Sequence, residues 1–182
     1  MTSPGVAVHR APAMLRWSLA TVGAVAAALV MAITVHAASS PPPYKLAKLT
    51  ASLFYAESGR FSPDIPKNAP LWNTIIGEGW AKENSDATLI RVTVTGARGS
   101  YAPARAVKVS VRKGRTTSSG YAWGAVALRR SQPLGVFSGT GKTVVAAWLY
   151  DTGCVPLQVT ATLVGQTPSP PLVRVIPFAC GE

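Results

Sequence analysis

Apolar and polar positions alternate along most of the chain from residue 49 onward. The stretch 106–112 (AVKVSVR) sets Val107, Val109 and Val111 on one side and Lys108, Ser110 and Arg112 on the other. That period of two predicts a half-buried strand with a wet face. The stretch 88–95 repeats it with Ile90, Val92 and Val94, and 156–164 with Leu157, Val159, Ala161 and Leu163 against Gln158, Thr160 and Thr162. Further strands are predicted at 49–55 and 172–178. The more uniformly apolar runs 121–128 (YAWGAVAL) and 143–150 (TVVAAWLY) read as central strands. Gly and Pro, 16 and 15 residues, punctuate these runs as turns. No amphipathic helix of ordinary length intervenes. About seven strands with regular turn signals predict an all-β fold, an antiparallel β-sandwich of immunoglobulin-like or related topology. A small β-barrel is the alternative.

The N-terminus breaks this pattern. Residues 17–35 (WSLATVGAVAAALVMAITV) are uncharged and predict one hydrophobic helix, preceded by Arg10 and Arg16. Val35-His36-Ala37 supplies a small-residue cleavage pattern, so 1–38 reads as a signal peptide cut after Ala37. The length of the run equally fits an uncleaved anchor crossing the membrane through 17–35. Either route places the C-terminal domain outside the cytoplasm, membrane-anchored or secreted. Residues 39–45, with three consecutive prolines at 41–43, form a stiff linker. The sandwich domain is expected over 46–182.

The two cysteines, Cys154 and Cys180, flank the last two predicted strands. A hairpin folded at the centre of 165–170 sets them opposite one another within one residue. Opposed strand positions lie at disulfide distance, and export permits oxidation. A Cys154–Cys180 disulfide is therefore expected.

Several chemistries lack their residues. Both histidines, His9 and His36, precede the domain. A Ser-His-Asp triad, a cysteine–histidine pair and an ordinary zinc site have no histidine to use. The string Ser138-Gly-Thr-Gly-Lys-Thr143 ends like a phosphate loop, but Val136 stands where the first glycine belongs, and the β-branched run after Lys142 is a strand. It reads as a turn, and no nucleotide and no cofactor is expected. The acids Glu57, Asp64, Glu78, Glu83 and Asp86 all fall in one stretch. Glu78, Glu83 and Asp86 form a weak calcium alternative, and a carboxylate enzyme is a second alternative; neither matches a known spacing.

Two features remain as candidate binding surfaces. The segment 56–87 is long for a connection, its one local pattern a short strand over 71–76, and it carries Phe61, Trp72 and Trp80. These aromatics suit stacking on sugars or a protein partner, or else plug one end of the sandwich, with Trp72, Ile75 and Ile76 turned inward. The net charge is +11, and no acid occurs between Ala87 and Tyr150. Lys108, Arg112 and a Lys113-Gly114-Arg115 turn are expected to form one positive patch that attracts an anionic envelope polymer or lipid surface. Export and the lack of interleaved aromatics argue against nucleic acid. The sequence thus predicts a non-catalytic binding or structural module of the cell envelope, with a carbohydrate- or anionic-polymer-binding domain as the alternative.

Overall fold

The structure is a computed structural model that describes residues 44–166 and 168–181. The expected N-terminal helix and most of the linker lie outside the described residues. The described chain is all-β, with strands β1 (Lys45–Tyr55), β2 (Arg60–Phe61), β3 (Ala87–Thr95), β4 (Ala106–Thr117), β5 (Gly120–Pro133), β6 (Lys142–Leu149), β7 (Leu157–Val164) and β8 (Leu172–Ile176). They form two four-stranded antiparallel sheets, ordered β2-β1-β3-β6 and β5-β4-β7-β8. The strand expected over 71–76 is instead a short 3₁₀ turn, Thr74–Ile76. It is entered through Asn73 and left through Gly77, both left-handed, which an extended strand does not allow.

The two sheets share one apolar core in a sandwich-like arrangement. Ile90, Val92 and Val94 of β3, Val107 and Val109 of β4, and Val159 and Ala161 of β7 are all buried within it. These are the positions selected by the period-two pattern. Each such valine or isoleucine removed from water contributes about 1.5–3 kcal/mol.

The expectation that 121–128 and 143–150 are central is overturned. β5 and β6 are edge strands, one in each sheet. Both are apolar, but a strand becomes central only through a second pairing partner, which composition does not specify. β5 pairs only with β4, and that register breaks between Val111 and Arg112 and again between Arg112 and Gly114. The Trp123 ring lies across Gly114, its directly paired residue, where a Cβ would meet the ring. The expected turn at 113–115 is also corrected, because β4 runs straight through it to Thr117 and the turn follows at 118–119.

The two flanks of the sandwich are finished differently. On the β1 and β8 flank, residues 62–65 cover β1 irregularly, with Ser62 N–H bonded to Leu53 O and Ile65 N–H to Ala51 O. Arg174 of β8 then reaches across to the other sheet. Its guanidinium donates to Asp64 Oδ1 at 2.6 Å, to Leu49 O at 3.2 Å and to Ile65 O. Asp64 Oδ1 also accepts the Ala51 N–H at 3.0 Å. One half-buried ion pair thus ties both sheets and the covering segment together.

Cys154 and Cys180 form a disulfide, Cα to Cα 4.6 Å. Leu157 faces Ile176 in the β7–β8 hairpin, and extending that register past the strand ends brings Cys154 within one residue of Cys180. Closing this loop of sequence separation 26 contributes roughly 3 kcal/mol in the chain-entropy account.

Candidate functional site

Alternation on β4 decides where its cations go. Lys108 and Arg112 are exposed and belong to the outer face of the second sheet. Ser110, between them, pairs with Arg129 on β5 and Thr160 on β7, while Lys108 pairs with Thr162 and Arg112 with Gln158. The face therefore presents Lys108, Arg112 and Arg129 among hydroxyl and amide side chains. No Asp or Glu occurs in any strand of this sheet. Among the described residues, the ion pairs involve Lys48, Arg60 and Arg174, none of them on this face. Cations without compensating acids produce a positive potential that reaches about a Debye length into solvent.

The single patch expected of Lys108, Arg112, Lys113 and Arg115 is divided. Lys113 pairs with buried Leu157 and so takes the opposite side of β4 from Arg112. It lines a cleft of about 270 Å³ with Arg130, Leu128, Trp148 and Tyr150, at the flank where β5 and β6 are the edges. Arg115 is exposed on the outer arm of the β4–β5 hairpin, paired with Ala122. Arg129 was not singled out from the sequence. Its place on the face depends on the β4–β5 register, which two bulges make unreadable from local alternation.

The three aromatics of 56–87 also separate. Phe61, on β2, packs against Phe54 and Trp148 at ring-centroid distances of 5.3 and 5.6 Å. Trp148 in turn lies edge-on to Phe54 at 5.2 Å and near-parallel to Tyr150 at 6.1 Å. This four-ring cluster occupies one end of the outer face of the first sheet. Trp148 and Tyr150 are legible in the sequence as the partners in alternation of buried Val145, Ala147 and Leu149. Trp80 is half-buried against the core and shares a cleft of about 340 Å³ with Phe61, Arg60, Lys82 and Glu83. Trp72 is not part of that cleft. It is 47% exposed, pairs with Ala179 and lies over Gly181 beside the disulfide.

The plug is supplied by other residues of the segment. Ile65, Ala69, Leu71 and Ala81 enter the core, while Trp72, Ile75 and Ile76 stay exposed. Tight backbone contact holds this packing. Gly79 has φ +63, and a Cβ there would lie 2.2 Å from Pro70 O.

The acids do not converge. Glu78 accepts a hydrogen bond from Asn73 Nδ2 at 2.9 Å, and Glu83 from Arg60 at 2.7 Å. Among the described residues, no three histidine, cysteine or carboxylate side chains are grouped to hold a metal ion. The Ser58 hydroxyl holds the Glu83 carboxyl below its ordinary value of 4.5; desolvation opposes it, and the Arg60 guanidinium adds to the lowering. A depressed carboxylate stabilises the fold above its unfolded value, and the contribution is lost as pH falls through the folded value. Carboxyl NMR titration is expected to place Glu83 below its ordinary value of 4.5, and Ser58→Ala to raise it. An unchanged titration in that variant contradicts the assignment.

The turn 138–141 delivers the chain into β6, with Ser138 Oγ near the Lys142 and Thr140 N–H groups at 3.3 Å and Gly141 at φ +72. The helix that a phosphate loop requires is replaced by β6.

A cavity of about 860 Å³ lies beside the Arg174 latch, between Leu49, Pro66, Val173 and Tyr121 of the hairpin arm. Among the described residues, no helix is long and apolar enough to cross a membrane.

No protein-family model matches the chain, and no curated protein matches it. Among solved structures, a β-glucuronidase of Bifidobacterium dentium, complexed with coumarin-3-O-glucuronide, is similar at a TM-score of 0.36 and 12% identity. The alignment covers 74% of this chain and 17% of that one.

Proposed function

We propose that this chain is an exported, non-catalytic module of the cell envelope that holds an anionic polymer against the outer face of its second sheet. The observation that carries the reading is the face of acid-free strands bearing Lys108, Arg112 and Arg129, which have no ion-pair partners among the described residues. Export is supported by the leader-like N-terminus and by the Cys154–Cys180 disulfide, a bond that oxidising compartments preserve. Attachment through residues 17–35 and release after Ala37 are both compatible with it. A binding role is supported by Asp64, Glu78 and Glu83, whose carboxylates are engaged in hydrogen bonds. Immunoglobulin-like topology is supported by the strand order. With β2 set aside, the first, second and fifth strands form one sheet and the fourth, third, sixth and seventh form the other. Compared with constant-type immunoglobulin domains, the fourth strand sits in the opposite sheet.

The test uses the full chain in mild detergent, with dextran sulfate as the probe and neutral dextran as the control. Binding is expected to dextran sulfate alone and to weaken as salt rises. Lys108→Ala/Arg112→Ala/Arg129→Ala is expected to lower affinity about tenfold, near 1.4 kcal/mol. A variant removing equal charge elsewhere, Lys45→Ala/Lys67→Ala/Lys82→Ala, is expected to retain most of the binding. Equal losses in the two variants would show net charge at work rather than this face, and would sink the proposal.

A further inference from the structure

A sheet edge is a row of unpaired backbone donors and acceptors, and folded proteins blunt such edges with short strands, prolines, bulges or charges. Three of the four edges here are treated in that way. β2 is two residues long, and the chain after it covers β1. β8 is five residues long, bounded by Pro171 and Pro177, with Arg174 at its centre. β5 carries two register breaks, the cations Arg129 and Arg130, and Pro133 at its end.

β6 has none of these devices. It pairs with β3 without a break from Lys142 to Leu149, contains no proline, and is charged only at Lys142. After Lys142 its outward positions are apolar and open to solvent, with Val144 56% and Trp148 38% exposed, and Tyr150, one residue past its end, is 69% exposed. Ala146, between Val144 and Trp148, is exposed as well.

We propose that the β6 edge pairs antiparallel with the β6 edge of a second copy of this chain, with the two-fold axis at Ala146. This proposal is independent of the polymer-binding reading, because the acid-free face belongs to the other sheet. The occupant is argued from self-complementarity. With the axis at Ala146, Val144 stands opposite Trp148 of the partner, and Lys142 opposite Tyr150 of the partner. Each large exposed side chain then meets a smaller apolar group or a cation. The Lys142 ammonium beside a tyrosine ring adds a cation–π contact. Ala146 meets its own copy, where only a small side chain keeps the axis uncrowded. The first sheets of the two copies merge into one eight-stranded sheet, and the contact is isologous and self-limiting. An axis one residue away, at Val145, sets Trp148 opposite Lys142 and Tyr150 opposite Thr140, which lies outside β6.

The register makes the test specific. In the full chain, exported to an oxidising compartment so that Cys154 and Cys180 stay paired, Ala146→Cys is expected to form a dimer on a non-reducing gel. Directly opposed residues lie about 4.5–5.5 Å apart, within disulfide reach. Val144→Cys alone is expected to cross-link poorly, and Val144→Cys/Trp148→Cys well. Ala146→Lys and Ala146→Glu are each expected to give monomers in sedimentation equilibrium, and their mixture to restore the dimer. Both substitutions fall on an exposed position, so circular dichroism of the variants is expected to match the parent. A parent chain that stays monomeric from micromolar to millimolar concentration overturns the proposal and leaves the edge to a strand from another protein. Cross-linking that is equal at 144 and 146 overturns the register.

Discussion

Replacing Arg174 with alanine is expected to lower the unfolding free energy by about 3 kcal/mol, the largest effect of any polar substitution in the described chain. Breaking a well-shielded ion pair costs about 3–5 kcal/mol, because the remaining group is left buried and uncompensated. Here the Arg174 side chain is 15% exposed and that of Asp64 33%, and Asp64 keeps Lys48 Nζ at 3.6 Å and the Ala51 N–H, so the lower end applies. The change also leaves Leu49 O and Ile65 O without their charged donor. Arg174→Lys is expected to recover only part of the loss. An ammonium carries three donors but not the planar fork that spans two sheets and the covering segment. Urea titration of the full chain measures both. A loss below about 1 kcal/mol for Arg174→Ala, the range of an exposed pair, would show that the latch is a surface contact.

Opening the disulfide is expected to cost roughly 3 kcal/mol, through Cys154→Ser/Cys180→Ser or through reduction. The effect is largely on the unfolded chain, which regains the freedom of the closed loop. A local readout accompanies it. Trp72 pairs with Ala179 and lies over Gly181, and Gly181 N–H donates to Asn73 Oδ1 at 3.1 Å. Releasing Cys180 loosens that tail, so Trp72 fluorescence is expected to shift to the red before global unfolding. Coincident unfolding midpoints for the oxidised and reduced chains would contradict the stabilising role. An unmoved emission would separate Trp72 from it.

Much of the fold was legible because period-two alternation is a direct record of a half-buried sheet. Val107, Val109 and Val111, or Leu157, Val159, Ala161 and Leu163, can be assigned a buried face with no partner known. The disulfide was legible because hairpin register follows from a single short loop. The candidate site was less so. Lys108 and Arg112 were assigned correctly to a wet face, but Lys113 was grouped with them by proximity in sequence, which in a strand guarantees the opposite side. The aromatics fared similarly. Phe61 finds its neighbours in Phe54, Trp148 and Tyr150, which come from distant strands, rather than in Trp72 and Trp80 nearby in the chain.

The sequence alone determined local quantities: where most of the strands run, which side of the alternating ones is apolar, and that the two cysteines meet. The tertiary structure alone decided which strands became edges. An apolar strand such as 142–149 carries the same pattern whether it has one neighbour or two, and only the pairing of distant segments supplies the second. The tertiary structure also decided that Arg174 would find Asp64 across the gap between the sheets. That contact joins residues 110 apart in the chain. Its energy depends on burial that exists only after both sheets have closed.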